Sequence, residues 1–308
     1  MAILRSVLWV TVTWLAMGCG HPAPSPSEQV DAADAADQAA EGAASDAAPH
    51  VAAVDAESAE SRTADTADAQ ADGVADVAVD ATATVYNALF LGNSYTYFND
   101  LPGMVSTFAA HAGITVQVDS ATGGGATLAA LYQFAPAKTK LAHGGWTHVV
   151  LQGQSMETAY GPTYFLEYCQ KFAVQLKAAG AIPVWYATWP RKPGDAIYLD
   201  NKAGGSAAAY AKIIAKVYQQ AADSYGGVRI AVPEAWAQVL AEHPTLNLYH
   251  DDGSHPLAAG TYLVACLFAA TVFGADPAKV DWHPPEVSDA DAATLRKACA
   301  AHAGKRRK

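Results

Sequence analysis

The segment Tyr86-Asn87-Ala88-Leu89-Phe90-Leu91-Gly92-Asn93-Ser94-Tyr95-Thr96 joins an apolar run to a short polar turn. Residues 86–91 predict a strand, and Gly92, Asn93 and Ser94 suit a tight turn into a following helix. Ser94 therefore stands at the carboxyl end of a strand, where open α/β sheets present their ligands. Outward from this segment, further strands are predicted at 114–118, 148–152, 182–186 and 228–232. Helices are predicted at 101–112, 127–141, 164–179, 206–224 and 257–273, with Gly113, Gly180 and Gly274 as stop signals. The strand runs are apolar throughout, as expected for strands covered on both faces. Alternating strands and helices build βαβ units. The predicted fold class is α/β: a three-layer α/β/α arrangement around a five-stranded parallel, flavodoxin-like sheet.

A second motif, Asp252-Gly253-Ser254-His255-Pro256, lies near the other end of this region, with His255 161 residues beyond Ser94. Serine, histidine and aspartate are the parts that turn a hydroxyl into a nucleophile. Three residues apart on a loop, the Asp252 carboxylate can reach the histidine ring nitrogen that faces away from the serine. It then fixes the tautomer and stabilises the imidazolium. Asp251 is adjacent, but the spacing favours Asp252. Two more loops follow predicted strands. Thr122-Gly123-Gly124-Gly125-Ala126-Thr127 brings backbone N–H groups into reach of a ligand, or is a flexible lead into a helix. It lacks the Gly-Lys-Ser/Thr of a phosphate-binding loop. Gln152-Gly153-Gln154-Ser155 offers two side-chain amides.

These blocks, in this order, resemble the SGNH hydrolases, a branch of the GDSL esterase/lipase group named for blocks that contribute Ser, Gly, Asn and His. The resemblance spans most of residues 86–270 and implies the same three-layer fold. Gly92-Asn93-Ser94 stands for the family's Gly-Asp-Ser, with Thr96 also matching, and makes Ser94 the nucleophile. The family's Gly-x-Thr selects Gly125. Gln154 falls at the asparagine of Gly-x-Asn-Asp, with Gln152 as the other candidate amide. Asp252 and His255 match Asp-x-x-His. The resemblance implies catalysis by Ser94, Asp252 and His255, with an oxyanion hole formed by Ser94, Gly125 and Gln154. It implies hydrolysis of an acyl ester, with O-acetyl groups on glycans first among substrates and short-chain lipids second. A non-catalytic surface-binding protein and an acyltransferase are the alternatives. No cofactor or metal is expected. The expected partner is a small-molecule or glycan ester met by a monomer.

The amino-terminal 19 residues form an export signal: a short basic start with Arg5, an apolar stretch below the roughly 20 residues of a membrane span, then Ala16-Met17-Gly18-Cys19. Small residues before Cys19 resemble the bacterial lipoprotein signal, with Leu15 one position early. That signal implies lipidation of Cys19, membrane association through the lipid alone and a place in the cell envelope. An ordinary secretory signal is the alternative. Residues 20–84 form an Ala/Asp-rich acidic tether that cannot bury enough apolar surface to order itself. From residue 21 to 84, 14 acidic residues face one base, Arg62. With −13 in that stretch and −11 for the whole chain, the remainder carries +2. A nearly neutral domain at 85–308 argues against nucleic acid, and the basic tail at 305–308 reads as a solvated end.

Cys169, Cys266 and Cys299 fit no metal spacing, and one disulfide or three buried thiols are both open. His111, His143, His148, His243 and His250 read as structural or surface residues. Trp189 either lines a cleft or packs over the sheet edge, Arg191 is expected to be solvated, and Tyr95 and Tyr97 either stack on a sugar or pack locally. If Cys19 carries the lipid, Cys19→Ala is expected to move the exported protein from the membrane to the soluble fraction, as read by cell fractionation and immunoblot.

Overall fold

The computed structural model of the chain describes residues 84–304. The expected signal segment with Cys19, the tether up to residue 83 and the basic tail at 305–308 lie outside the described residues. Five strands, β1 (Tyr86–Gly92), β2 (Val116–Thr122), β3 (His148–Leu151), β4 (Ile182–Tyr186) and β5 (Val228–Ile230), form one parallel sheet in the order β2-β1-β3-β4-β5. The helices are α1 (Ser94–Tyr97), α2 (Leu101–His111), α3 (Leu128–Gln133), α4 (Ala135–His143), α5 (Glu157–Tyr160), α6 (Pro162–Ala178), α7 (Ala207–Tyr225), α8 (Val232–Glu242), α9 (Ala258–Phe268) and α10 (Asp289–His302). This is a three-layer α/β/α fold of flavodoxin-like order. Its strand order reverses between β1 and β3, and the ligand crevice of such sheets opens there, at the carboxyl ends of the strands.

Alternation along each strand divides the interior into two cores. Ala88 and Phe90 of β1 join Val150, Val184, Tyr186 and Ile230 against α2, α8, α9 and α10. Leu89 and Leu91 join Val149, Leu151 and Trp185 against α3, α4, α6 and α7. Burial on both faces explains why the strand runs carry so little polar alternation. Helix α9 is buried from Gly260 to Phe268, so it behaves as a core element with no polar face. Helix α10 covers it, and a disulfide joins Cys266 of α9 to Cys299 of α10. Cys169 is a free thiol, and burial pushes it well above the ordinary thiol range.

Several expected boundaries are corrected. The second strand lies at Val116–Thr122 and not at 114–118, because β2 is an edge strand whose partly exposed positions accept Asp119 and Ser120 while its register follows β1 to Gly92. The single helix expected at 127–141 is two helices, broken at Phe134. Pro136 lacks an N–H and is tolerated only in the first turn of α4. The fifth strand ends at Ile230, and Val232 opens α8 with Pro233 in its first turn. The last expected helix is regular only to Phe268; a wider turn runs from Ala269 to Phe273 and stops at Gly274 in the left-handed region. Helices α8 and α10 were not anticipated, although Ser288 caps α10 through the N–H of Asp291.

The Cys266–Cys299 bridge closes a separation of 33 residues, for which loop-closure entropy gives about 3–4 kcal/mol. The double variant Cys266→Ala/Cys299→Ala is expected to lose stability of that order in a urea titration, and reductant should lower the parent's midpoint but not the variant's.

Candidate active site

Gly92 ends β1 and admits the turn. A Cβ there would collide with Thr96 Oγ1 and Gln152 Oε1, so only glycine lets the Ser94 loop close on the loop after β3. Asn93 caps α1: its Oδ1 accepts from the Tyr95 N–H at 3.1 Å. The same oxygen accepts from Gln152 Nε2 at 2.8 Å, and Asn93 Nδ2 donates to the Ala126 carbonyl at 3.1 Å. Gln152 Oε1 in turn accepts from the Asn93 N–H and from Thr96 Oγ1, both at 2.8 Å. These contacts fix both amide orientations, because each oxygen meets donors and each nitrogen meets an acceptor. They also explain why asparagine stands where the family has aspartate. A carboxylate would face the Ala126 carbonyl with a second acceptor.

Ser94 opens α1 at the carboxyl end of β1 and is 3% exposed. Its Oγ lies 2.8 Å from His255 Nε2, and His255 Nδ1 lies 2.5 Å from Asp252 Oδ2. The other carboxylate oxygen of Asp252 accepts from the N–H groups of Ser254 and His255 at 2.8 and 2.9 Å. Burial opposes the Asp252 charge, but the hydrogen bond from the His255 ring, those two N–H groups and the charge attraction of the same imidazole outweigh it and hold the carboxyl below its ordinary value. Asp252 thus stays ionised at neutral pH, facing the ring nitrogen away from Ser94. Asp251 is exposed and has no part in this chain of bonds.

The loop that carries His255 is held from three sides. Its own turn closes through His250 N–H to the His255 carbonyl at 2.8 Å. Tyr95 Oη meets Ser254 Oγ at 2.6 Å, and Trp189 Nε1 donates to the Ser254 carbonyl at 2.9 Å. Tyr249 Oη donates to the Pro190 carbonyl at 2.8 Å. Tyr95, Trp189 and Trp236 form a parallel stack with ring centroids 4.5 Å apart at each step. Trp189 and Tyr95 are therefore packing residues under the loop. Arg191, expected to be solvated, is largely covered and faces Asp195 at 3.8 Å.

Gly125 sits in the left-handed region, φ 62°, within a turn closed by the Ala126 N–H on the Gly123 carbonyl. The N–H of Gly125 has no protein acceptor among the described residues. Of the two amides after β3, Gln152 is consumed by the Asn93 network. Gln154 uses its oxygen on the Met156 N–H at 2.6 Å, and its Nε2 has no protein acceptor among the described residues. The structure thus separates the two amides, and the one left with a free Nε2 is Gln154, which the family pattern put first.

Glu157 went unnoticed in the sequence. It opens α5, and its Oε2 accepts from the Gln154 N–H at 2.7 Å and the Leu128 N–H at 3.1 Å. It thereby joins the loop after β3 to the start of α3, which follows the glycine loop. The residue is only half-buried overall, but its carboxyl is turned inward. Burial pushes its pKa up to about 7 against the pull of those two N–H groups. The folded state therefore binds this proton more tightly than the unfolded chain. The resulting stability is fully present below about pH 4.5 and is lost as pH rises to about 7, by about 3 kcal/mol at most. Glu157→Gln is expected to flatten this part of the pH dependence of the melting temperature; parallel curves for parent and variant would contradict it.

Neither a protein-family model nor any curated protein matches the chain. Solved structures do. A protein from Slackia heliotrinireducens assigned as an SGNH hydrolase is 33% identical, with a TM-score of 0.52, over 61% of this chain and 99% of that one. A DUF4886 family protein from Bacteroides uniformis shares the fold at a TM-score of 0.60 and 15% identity, over 71% of this chain and 94% of its own. With its nearly full coverage of a relative one-third identical and the parallel α/β/α sheet described above, the chain belongs to the SGNH hydrolase family.

Proposed function

We propose that the chain is a serine esterase that cleaves short acyl esters, and that Ser94, His255 and Asp252 carry the reaction. The observation behind this reading is the unbroken line Ser94 Oγ–His255 Nε2, His255 Nδ1–Asp252 Oδ2, at 2.8 and 2.5 Å. In this reading His255 takes the Ser94 proton as Oγ attacks the ester carbonyl, and Asp252 stabilises the imidazolium. The tetrahedral oxyanion is held by the N–H groups of Ser94 and Gly125 and by Gln154 Nε2. The Ser94 N–H, at the first position of α1, has no intrahelical acceptor of its own. The imidazolium returns its proton to the departing alkoxide. Water, deprotonated by His255, then attacks the acyl-enzyme and releases the acid. None of these steps requires a redox or group-carrying cofactor.

Ser94 and His255 are each 3% exposed, a narrow approach that favours a small acyl group such as acetyl over a long chain. A chain lipidated at Cys19 and tethered outside the cell would meet envelope glycans, so O-acetyl groups on glycans are the substrate class we infer. Acyl transfer to another hydroxyl would use the same residues.

Ser94→Ala in the full chain is expected to lower p-nitrophenyl acetate turnover about 10⁴-fold or more and to abolish labelling by a fluorophosphonate. Asp252→Asn is expected to cost about 10²–10⁴-fold and Gln154→Ala about 10²–10³-fold in kcat. Unchanged turnover in Ser94→Ala would remove the assigned nucleophile, and absence of labelling in the folded parent would favour a binding protein.

A further inference from the structure

Phe98 lies one turn beyond Ser94, and its N–H closes α1 on the Ser94 carbonyl. Its ring stacks on that of His255 with centroids 4.2 Å apart and planes 14° from parallel. The next residues, Asn99 and Asp100, are both left-handed, with φ of 51° and 48°. Two such residues in succession are uncommon outside glycine, and asparagine and aspartate bear the conformation best. Their bend turns the Asn99 side chain across to the histidine loop. Asn99 Nδ2 donates to the Pro256 carbonyl at 2.9 Å and to Thr261 Oγ1 at 2.8 Å. The segment after the nucleophile is thus fastened to the segment after the histidine, with the Phe98 ring held flat against the imidazole between them.

We propose that Phe98 is a positioning residue for His255: its ring face keeps the imidazole in line with Ser94 and stabilises the imidazolium formed when the proton passes from Ser94 Oγ to His255 Nε2. The catalytic part of this proposal rests on the esterase reading above; the effect on proton uptake does not. The physical basis is the attraction of a cation to an aromatic face within about 6 Å, which grows as water is excluded. The ring's hydrogen-bonding partners among the described residues are the Asp252 carboxylate on Nδ1 and the Ser94 hydroxyl on Nε2. The edge of Tyr95 lies 5.6 Å away at 72°. Phe98 alone offers its face to the imidazole in parallel stacking among the described residues.

The test compares Phe98→Leu, which keeps apolar bulk without the ring, with Phe98→Tyr, which keeps the ring, both in the full chain. In Phe98→Leu, kcat/KM for p-nitrophenyl acetate is expected to fall about tenfold with KM little changed, and the acid limb of its pH profile is expected to move to lower pH. Phe98→Tyr should restore both. Histidine-ring NMR supplies a readout independent of turnover: in Phe98→Leu, the His255 resonances should lose their ring-current displacement and take up the proton at lower pH. A parent without Ser94-dependent turnover would defeat the esterase reading, and the NMR comparison would still decide the role of Phe98. A Phe98→Leu variant whose His255 titrates as in the parent, or a rate loss that Phe98→Tyr does not recover, would overturn the proposal. Should Phe98→Leu fail to fold by near-ultraviolet circular dichroism, Phe98→Met serves the same comparison.

Discussion

The site depends on one buried amide pair. Asn93 and Gln152 sit where the loops after β1, β2 and β3 converge, and between them they satisfy five polar contacts in a region that excludes water. An unpaired polar group in such a place costs about 1–3 kcal/mol, so the three loops are locked together by need as much as by attraction. The pairing is reciprocal. Gln152 offers an oxygen to the Ser94 loop and a nitrogen to Asn93, and Asn93 passes its own nitrogen on to the loop after β2. A change at either residue strands the other. Ser94 inherits its position from this arrangement, since its turn can neither rotate nor lift without breaking several of these bonds.

The histidine loop is fixed by a different physical means. Where amides set Ser94, aromatic packing sets His255. Tyr95, Trp189 and Trp236 stack beneath the loop, and the polar edges of the first two reach Ser254. Each ring pair contributes about 0.5–1.5 kcal/mol beyond its buried area, and Tyr95 belongs to both systems because it directly follows Ser94. The strand order explains why residues 161 apart can meet. Ser94 leaves β1 at the reversal point of the sheet, and the histidine loop leads into α9, the buried helix packed behind β1. The chain's late segment is drawn to the Ser94 edge of the sheet by hydrophobic burial, and the hydrogen bonds then fix the last ångströms.

Much of this was legible in the sequence because it rests on period and punctuation. Strand β4 was placed to the residue, and the three side chains that the structure brings into one hydrogen-bonded line, Ser94, His255 and Asp252, stand in two short motifs. The errors arose where tertiary context overrides local pattern. Asp119 and Ser120 read as loop because an edge strand tolerates polar residues that a central strand would not. Helix α10 is poor in large apolar residues, and its packing partner, α9, is recognisable only once both are folded. The two glutamines after β3 were ranked by the family pattern alone, because their roles are set by which one reaches Asn93, a contact across 59 positions. Glu157 and Phe98 carried no motif at all. The sharp turn after Ser94 is made by Asn99 and Asp100, with Asp100 capping α2 and Pro102 in its first turn.

Glu157 shows how closely the remaining electrostatics are balanced. A carboxylate bonded to the Gln154 N–H orients the amide loop, yet a full negative charge there would oppose the oxyanion of the proposed reaction. Burial resolves part of that conflict by pushing the Glu157 pKa up to about 7, so the group is only partly charged at neutral pH. Either form leaves Oε2 as an acceptor for the Gln154 N–H, and protonation removes charge without removing that geometry. Asp252 has the opposite arrangement: three donors and a partly open edge keep it charged beside the imidazole. In the proposed reaction, positive charge would develop on His255 and negative charge at the oxyanion. The fold places the firmly ionised carboxylate against His255 and the readily neutralised carboxyl against the loop that carries Gln154.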